Sequence, residues 1–356
     1  MDGASPYILV PYFAAGALLL VFSMLRGWQF HDRGIDRLLA LMLILLAAIA
    51  ASSADLGTDA PGYHSYYEEL GHTTELYGWW DPGFVWLGLL FSGVGAPFAA
   101  FVFALVLGSH LIKLYVFDKL STNTVLAFFV LFCFNIGEVA FVRQYLAASI
   151  ILLTFYLLSR RRIVLAVLSI FAATLIHKTA FPVGVLVILV YYGRAGLKPA
   201  LLFLIGTALA LTLLPAQITQ VVQDRAVAQF AAYTVEGYVQ GIGDDADTLL
   251  ARNIGKFFIY MLLAASMLML APKNDSERLQ RSAGYVVILL SLISVGLIAV
   301  SPVFSRYSVY VFPFLALCMR AERFAPNFKQ LPAQSAIVAL LLANLVISTY
   351  PLREYL

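Results

Sequence analysis

Residues 143–180 read RQYLAASIILLTFYLLSRRRIVLAVLSIFAATLIHKTA, and this stretch decides the fold. Two long apolar runs flank Arg160-Arg161-Arg162; the first opens on Arg143-Gln144 and the second closes on His177-Lys178. Neither run alternates apolar with polar residues, as a membrane β-strand would. Both approach the roughly 20 apolar residues that a helix needs to cross hydrocarbon. The triple-arginine turn therefore belongs at one membrane face and the two polar pairs at the other. The rest of the chain repeats the pattern: 62% of its 356 residues are hydrophobic and 12% charged, with a mean hydropathy of +0.87. No soluble core needs that much apolar surface. The expected fold is an all-α polytopic integral membrane protein, a single transmembrane domain over residues 1–356.

Twelve spans are expected, near 7–26, 37–54, 96–117, 122–141, 143–159, 163–180, 181–193, 198–216, 256–271, 283–300, 302–319 and 334–350. The first run is long and lacks a basic leader, so it reads as a retained span rather than a signal peptide. Residues 82–95 are apolar but short and glycine-rich, which predicts a re-entrant or interfacial helix. With these spans, one set of loops holds 16 of the 23 basic residues, Lys113 among them, and the other set holds 7. The positive-inside rule then puts both termini outside and the triple-arginine turn in the cytoplasm. Cys133 and Cys318 both fall within spans and make neither a disulfide framework nor a metal-ligand spacing.

Two outer loops are long enough to contribute to a site, 55–82 and 217–255. The first carries Asp55, Asp59, Glu68, Glu69, Glu75 and Asp81 with Tyr63, Tyr66, Tyr67, Tyr77, Trp79 and Trp80, and no lysine or arginine. The second carries Asp224, Arg225, Glu236, Asp244, Asp245, Asp247 and Arg252. Acid with aromatic suits a sugar, whose apolar faces stack on rings while its hydroxyls bond to carboxylates. It is equally the composition of an interfacial aromatic belt.

Arginine at hydrocarbon depth costs a few kcal/mol or more and marks a functional site by default. Arg143-Gln144, His177-Lys178 and Arg306-Tyr307 all fall at the outer edge of their spans, converging on one depth plane suited to an anion. Arg143 is followed by Ala147, Ala148 and Ser149, small residues that admit a neighbouring helix. Its guanidinium is a bidentate phosphate clamp or, in the plainer reading, a snorkelling interfacial arginine. Thr174, His177 and Phe181 are spaced to share one helical face. His177 is either a proton carrier or a histidine hydrogen-bonded between helices. Arg306 lies one turn into its span, with Pro313 in the same helix. Asp59, Asp55 and Asp81 compete as general base, and each is alternatively a helix cap. No P-loop, GxSxG, HExxH or dinucleotide fingerprint occurs, and no cofactor or metal is expected.

In order, these elements resemble the EpsG-like branch of the Wzy-type bacterial polysaccharide polymerases. The matching stretches are Gly57-Thr58-Asp59 with Tyr63, Asp81-Pro82-Gly83-Phe84, Arg143-Gln144-Tyr145-Leu146-Ala147, Ile176-His177-Lys178-Thr179-Ala180 and Arg306-Tyr307. Two departures stand out. Ser52-Ser53-Ala54-Asp55 replaces the arginine usual before Gly-Thr-Asp, and Asp81 stands where glutamate is usual.

The resemblance implies a GT-C-like membrane glycosyltransferase in a bacterial inner membrane, with its active site facing the periplasm. Its substrates would be undecaprenyl-diphosphate-linked oligosaccharides, serving as both donor and acceptor without a nucleotide sugar. Arg143, Lys178 and Arg306 would bind the diphosphate, and Asp59 or His177 would accept the hydroxyl proton, with Asp59 preferred. Gln144, Tyr145 and Tyr307 would orient substrate; Tyr63, Asp55, Asp81 and Arg252 complete the expected site. Membrane lipids, chain-length regulators and export proteins are the expected partners, and nucleic acid is not. The rival readings are a lipid-linked oligosaccharide flippase, a glycan ligase, a membrane acyltransferase and a noncatalytic scaffold.

Overall fold

Apolar runs broken by glycine, proline and short polar turns become helices because nothing else satisfies a backbone surrounded by apolar groups. The computed structural model describes residues 33–53, 60–70, 81–121, 124–134, 142–192, 255–265, 276–298, 307–318 and 341. These contain α1 (Arg33–Ser53), α2 (Ala60–Glu69), α3 (Pro82–Gly93), α4 (Phe98–Leu120), α5 (Thr124–Phe134) and α6 (Val142–Ser159). They continue with α7 (Ile163–Ile176), α8 (Ala180–Tyr192), α9 (Gly255–Ala265), α10 (Ser276–Ile298) and α11 (Ser308–Cys318). Spans 7–26 and 198–216, nearly all of 334–350 and nearly all of loop 217–255 lie outside the described residues.

Helix α6 organises the bundle, packing against α4, α7, α8 and α11. Ala147, Ala148 and Ser149 are buried on it, and Ser149 Oγ lies 2.8 Å from Ser109 Oγ of α4. Small residues thus let the two helices approach until their hydroxyls meet. A second hydroxyl pair, Thr154 and Ser169 at 2.7 Å, joins α6 to α7. Helix α5 is buried along its whole length, between α1, α4 and α11.

The outer faces are apolar. Ile35, Leu38, Met42 and Ile49 of α1 and Val164, Leu168 and Phe171 of α7 are exposed. Such continuous apolar surface is what lipid covers. Among the described residues, α4 and α6 are long and apolar enough to cross a membrane, whereas α3, α5, α7, α8, α9 and α11 are apolar but shorter than 18 residues. At 1.5 Å per residue, a helix such as α7 reaches only about 20 Å, short of a roughly 30 Å hydrocarbon core.

The triple-arginine turn is a helix C-cap. Arg162 N donates to Leu157 O and Arg161 N to Leu158 O, the paired bonds of a Schellman motif. Arg161 occupies the left-handed position, at φ 58°, where glycine is usual. The strain is small, about 1–2 kcal/mol for an L-residue.

Two expectations change. Lys113 is not a loop residue: it lies inside α4, fully buried, and donates from Nζ to Ser109 Oγ at 2.9 Å. Its long stem carries the ammonium back toward the helix N-terminus, into the seam between α4 and α6. Nor do Thr174, His177 and Phe181 share a helical face. Helix α7 ends at Ile176, His177 is extended (φ −155°, ψ 115°), and Phe181 already belongs to α8.

Candidate functional site

Pro82 starts α3, because its fixed φ and missing N–H suit the first helical position. Asp81 precedes it at the N-cap and holds the first turn through its carbonyl, which accepts from Phe84 N at 3.0 Å and Val85 N at 3.1 Å. Its side chain makes no capping bond and points elsewhere, to Arg143 Nη1 at 3.3 Å. Gly83 permits this placement. A Cβ there would stand 2.9 Å from the backbone of Leu175, so only glycine lets α3 begin against the end of α7. Phe84 then lies under the guanidinium, 5.6 Å from ring centroid to Arg143 Cζ, stacks on Tyr66 and packs tilted against Phe101. Each of the four residues Asp81-Pro82-Gly83-Phe84 therefore has a distinct physical task.

The second half of the site is the corner between α7 and α8. The corner's tight turn is closed by Ala180 N donating to His177 O at 2.9 Å. Lys178, exposed at its tip, turns its backbone N–H and its positive charge toward the Asp81 carboxylate. Burial pushes the Asp81 carboxyl above the usual carboxylate range, while Arg143, Lys178 and the Lys178 amide pull it down. Burial prevails even though the ion pair is formed, since desolvating a carboxylate costs more than one imperfect contact returns.

Behind the charges runs a chain of neutral hydrogen bonds. Gln144 Nε2 lies 3.1 Å from His177 Nε2, and Gln144 Oε1 is buried with no hydrogen-bond partner among the described residues. On the other side of the imidazole, Thr179 N donates to His177 Nδ1 at 3.3 Å and Thr179 Oγ1 lies 2.6 Å from the same nitrogen. Tyr310 of α11 reaches Thr179 Oγ1 at 2.9 Å, and Tyr307 packs beside Tyr310 at 6.2 Å between ring centroids. Arg143, Gln144 and His177 are 8%, 3% and 5% exposed. Such burial is the opposite of what a snorkelling arginine shows.

The described residues thus bring together Asp81, Arg143, Gln144, His177, Lys178 and, through Tyr310, Tyr307. Tyr145 is buried further along α6, under Lys113 Nζ at 5.8 Å from its ring centroid. Tyr63 is buried with its ring 5.6 Å from that of Phe84, and Tyr66 and Tyr67 likewise turn inward. Asp55, Asp59, Arg252 and Arg306 lie outside the described residues. Tyr310 has no part in the sequence reading, and Thr179 enters it only within the stretch Ile176–Ala180, without a role of its own. The signals were present: Thr179 adjoins His177-Lys178, and Tyr310 sits one turn after Tyr307 on the same face.

As a chemical device, the cluster offers guanidinium, ammonium and amide groups around one polar point where three chain segments end. That is an arrangement for an anion. The model of the EpsG family matches residues 36–351, nearly the whole chain, and every element of the cluster falls inside that range. No curated protein and no solved structure matches the sequence.

Proposed function

The chain belongs to the EpsG family of membrane proteins of polysaccharide biosynthesis, and on that premise we propose that it is a polysaccharide polymerase. It joins undecaprenyl-diphosphate-linked oligosaccharide repeat units by glycosyl transfer at the periplasmic face of the bacterial inner membrane. The observation that carries the reading is the convergence of Arg143 and Lys178 on Asp81, beside the Gln144–His177 contact, where α3, α6 and the α7–α8 corner meet.

In the proposed reaction, the nonreducing-end hydroxyl of one repeat unit attacks the anomeric carbon of another. The new C–O bond forms as the anomeric C–O bond to phosphate breaks, and undecaprenyl diphosphate departs. Arg143 and Lys178, with Arg306, hold the diphosphate and stabilise the negative charge it gains. Guanidinium suits this because its planar fork bonds two phosphate oxygens at once. Asp59 takes the hydroxyl proton. Asp81 holds Arg143 while the site is empty, and Tyr307 orients the substrate.

Twelve spans in a GT-C-like arrangement complete the reading. Basic residues still favour the triple-arginine side once Lys113 is removed from the loops, since 16 − 1 leaves 15 against 7. From that side, α7 and α8 rise only about 20 Å, so their corner lies below the opposite surface. A recessed corner would meet the diphosphate at headgroup depth while the sugars extend into water.

The test is to incubate the purified protein in lipid with its native undecaprenyl-diphosphate-linked repeat unit and no nucleotide, and to measure product length. A ladder of longer lipid-linked glycans is expected. No ladder from a validated substrate would overturn the polymerase and point to a ligase or a flippase.

A further inference from the structure

The tautomer of His177 is fixed by a group whose role is not negotiable. A backbone N–H can only donate, so the Thr179 amide at 3.3 Å makes His177 Nδ1 an acceptor. The threonine hydroxyl, 2.6 Å from the same nitrogen, adds its own proton to that lone pair. A neutral imidazole with Nδ1 accepting carries its proton on Nε2. Nε2–H then faces one end of the Gln144 carboxamide at 3.1 Å, and that end must be an acceptor. Nitrogen against Nε2–H would set donor against donor. The amide's two ends are nearly identical in shape, so the hydrogen bonds decide between them, and they place Gln144 Oε1 on the imidazole. The opposite end, buried and with no hydrogen-bond partner among the described residues, is then the NH2 group.

We infer that Tyr310, Thr179 and His177 form a directional relay that fixes Gln144 as a donor, aiming its NH2 beside Arg143 at the diphosphate. Every link points one way: Tyr310 O–H donates to Thr179 Oγ1, Thr179 O–H to His177 Nδ1, and His177 Nε2–H to Gln144 Oε1. His177 is thus a positioning residue. With the Nδ1 lone pair engaged and Nε2 protonated, it has no free site for a substrate proton. The proton of the attacking hydroxyl goes to a carboxylate instead. Thr179 and Tyr310 act two and three steps from the substrate, through the same amide. The inference rests on the proposed diphosphate site for what the NH2 meets, but the tautomer stands on hydrogen bonding alone.

The physical reason for such a device is specific to glutamine. An unconstrained carboxamide offers an anion its oxygen as readily as its nitrogen, and the oxygen repels. Anchoring Oε1 removes the wrong orientation before the substrate arrives, so no reorganisation accompanies binding. The arrangement also stays neutral, which keeps a second charge out of a buried pocket.

The decisive comparison is His177→Gln against His177→Ala in the full-length protein in lipid nanodiscs. Glutamine places an N–H near the former Nε2 but cannot serve as a base. His177→Ala should weaken undecaprenyl diphosphate binding and slow polymer formation, each about tenfold or more, the loss expected for one hydrogen bond acting through a charged contact. His177→Gln should recover both to within about fivefold, and Thr179→Ser should recover what Thr179→Val loses. Gln144→Glu, which places an anion where the NH2 points, should bind the diphosphate more weakly than Gln144→Ala. Nitrogen NMR of histidine-labelled protein should show His177 neutral and Nε2-protonated from about pH 6 to about pH 8.

Titration of His177 in that range, or His177→Gln as inactive as His177→Ala, would overturn the relay and restore the histidine as base. The two readings fail separately. Wild-type protein that holds the expected tautomer but ignores undecaprenyl diphosphate would sink the diphosphate site and leave the hydrogen-bond relay intact.

Discussion

Helix α6 carries two polar clusters on its buried surface, and they are built in opposite ways. At its start, Arg143 meets Asp81 and Gln144 meets the α7–α8 corner, which Tyr310 bonds in turn, so the cluster is assembled where chain segments begin and end. Further along, Tyr145 and Ser149 meet Ser109 and Lys113, all within uninterrupted helices. In the inner cluster the bonds close on each other: Lys113 Nζ donates to Ser109 Oγ, Ser109 meets Ser149, and Ser149 donates to Tyr145 O at 2.8 Å. In the outer cluster one end of the Gln144 amide is left over. Burying polar groups is therefore not enough to make a site. Chain ends leave backbone groups uncommitted and break the close packing, so an anion can enter there; the middle of a helix pair offers neither.

The largest effect expected from that contrast is at Arg143. Arg143→Ala should lower polymer formation at least a hundredfold, the scale of losing one charged donor to a leaving group, while single lipid-linked repeat units accumulate. Polymer of normal length from a well-expressed variant would end the assignment of the outer cluster as the site.

Gly83→Ala comes next. Its methyl would press on the Leu175 backbone at 2.9 Å, and backbone cannot swing aside as a side chain can. Overpacking of this kind costs about 1–3 kcal/mol, so thermal stability should fall. Asp81 should also leave its seat, with polymer formation down about tenfold or more. Unchanged stability would show that α3 and α7 pack less tightly than the glycine implies.

Asp81→Asn sharpens the electrostatics. Because burial raises the Asp81 carboxyl, the folded protein holds that proton more tightly than the unfolded chain, whose aspartates titrate near 3.9. The contribution is fully present below the unfolded value and is lost as pH rises through the folded one. Wild-type thermal stability should therefore decline relative to Asp81→Asn as pH is raised from about 4. A wild-type gain over that interval would mean that Arg143 and Lys178 outweigh desolvation.

Lys113→Met should touch the inner cluster alone. Polymer length should be unchanged and activity within about threefold, with stability shifted by about 1–2 kcal/mol, the range for one rearranged buried hydrogen bond. Loss of polymer at constant stability would mean that the two clusters are functionally one. Arg37→Ala is expected to do least. Arg37 Nε pairs with Asp118 Oδ1 at 2.7 Å across α1 and α4, but the arginine stands in the open. Solvent screens such pairs, so no measurable loss of activity is expected.

Much of this was legible from residue order. Arg143 opens α6 as its position before an apolar run requires, the triple-arginine turn caps it, and the helix starting at Pro82 is as short as its composition implies. Lys113 misled because hydropathy assigns a charge near a helix end to water, while the length of its stem lets the ammonium reach back along α4. The face proposed for Thr174, His177 and Phe181 failed for a similar reason. Spacing assumes an unbroken helix, and nothing in Leu175-Ile176-His177 announces the break that tertiary contacts impose.

The sequence by itself determined the kind of solvent this chain lives in, its helical construction and the short polar pairs that matter, because hydrocarbon tolerates little else. Only the tertiary structure decided what each polar residue faces. Asp81 and Arg143 are far apart in the chain, and their pairing depends on Gly83 admitting Leu175. Thr179 and Tyr310 acquire a role only when α11 packs beside the α7–α8 corner. A charge in an apolar run announces its own cost, but the direction of a hydrogen bond is a property of the pair, and pairs exist only after folding.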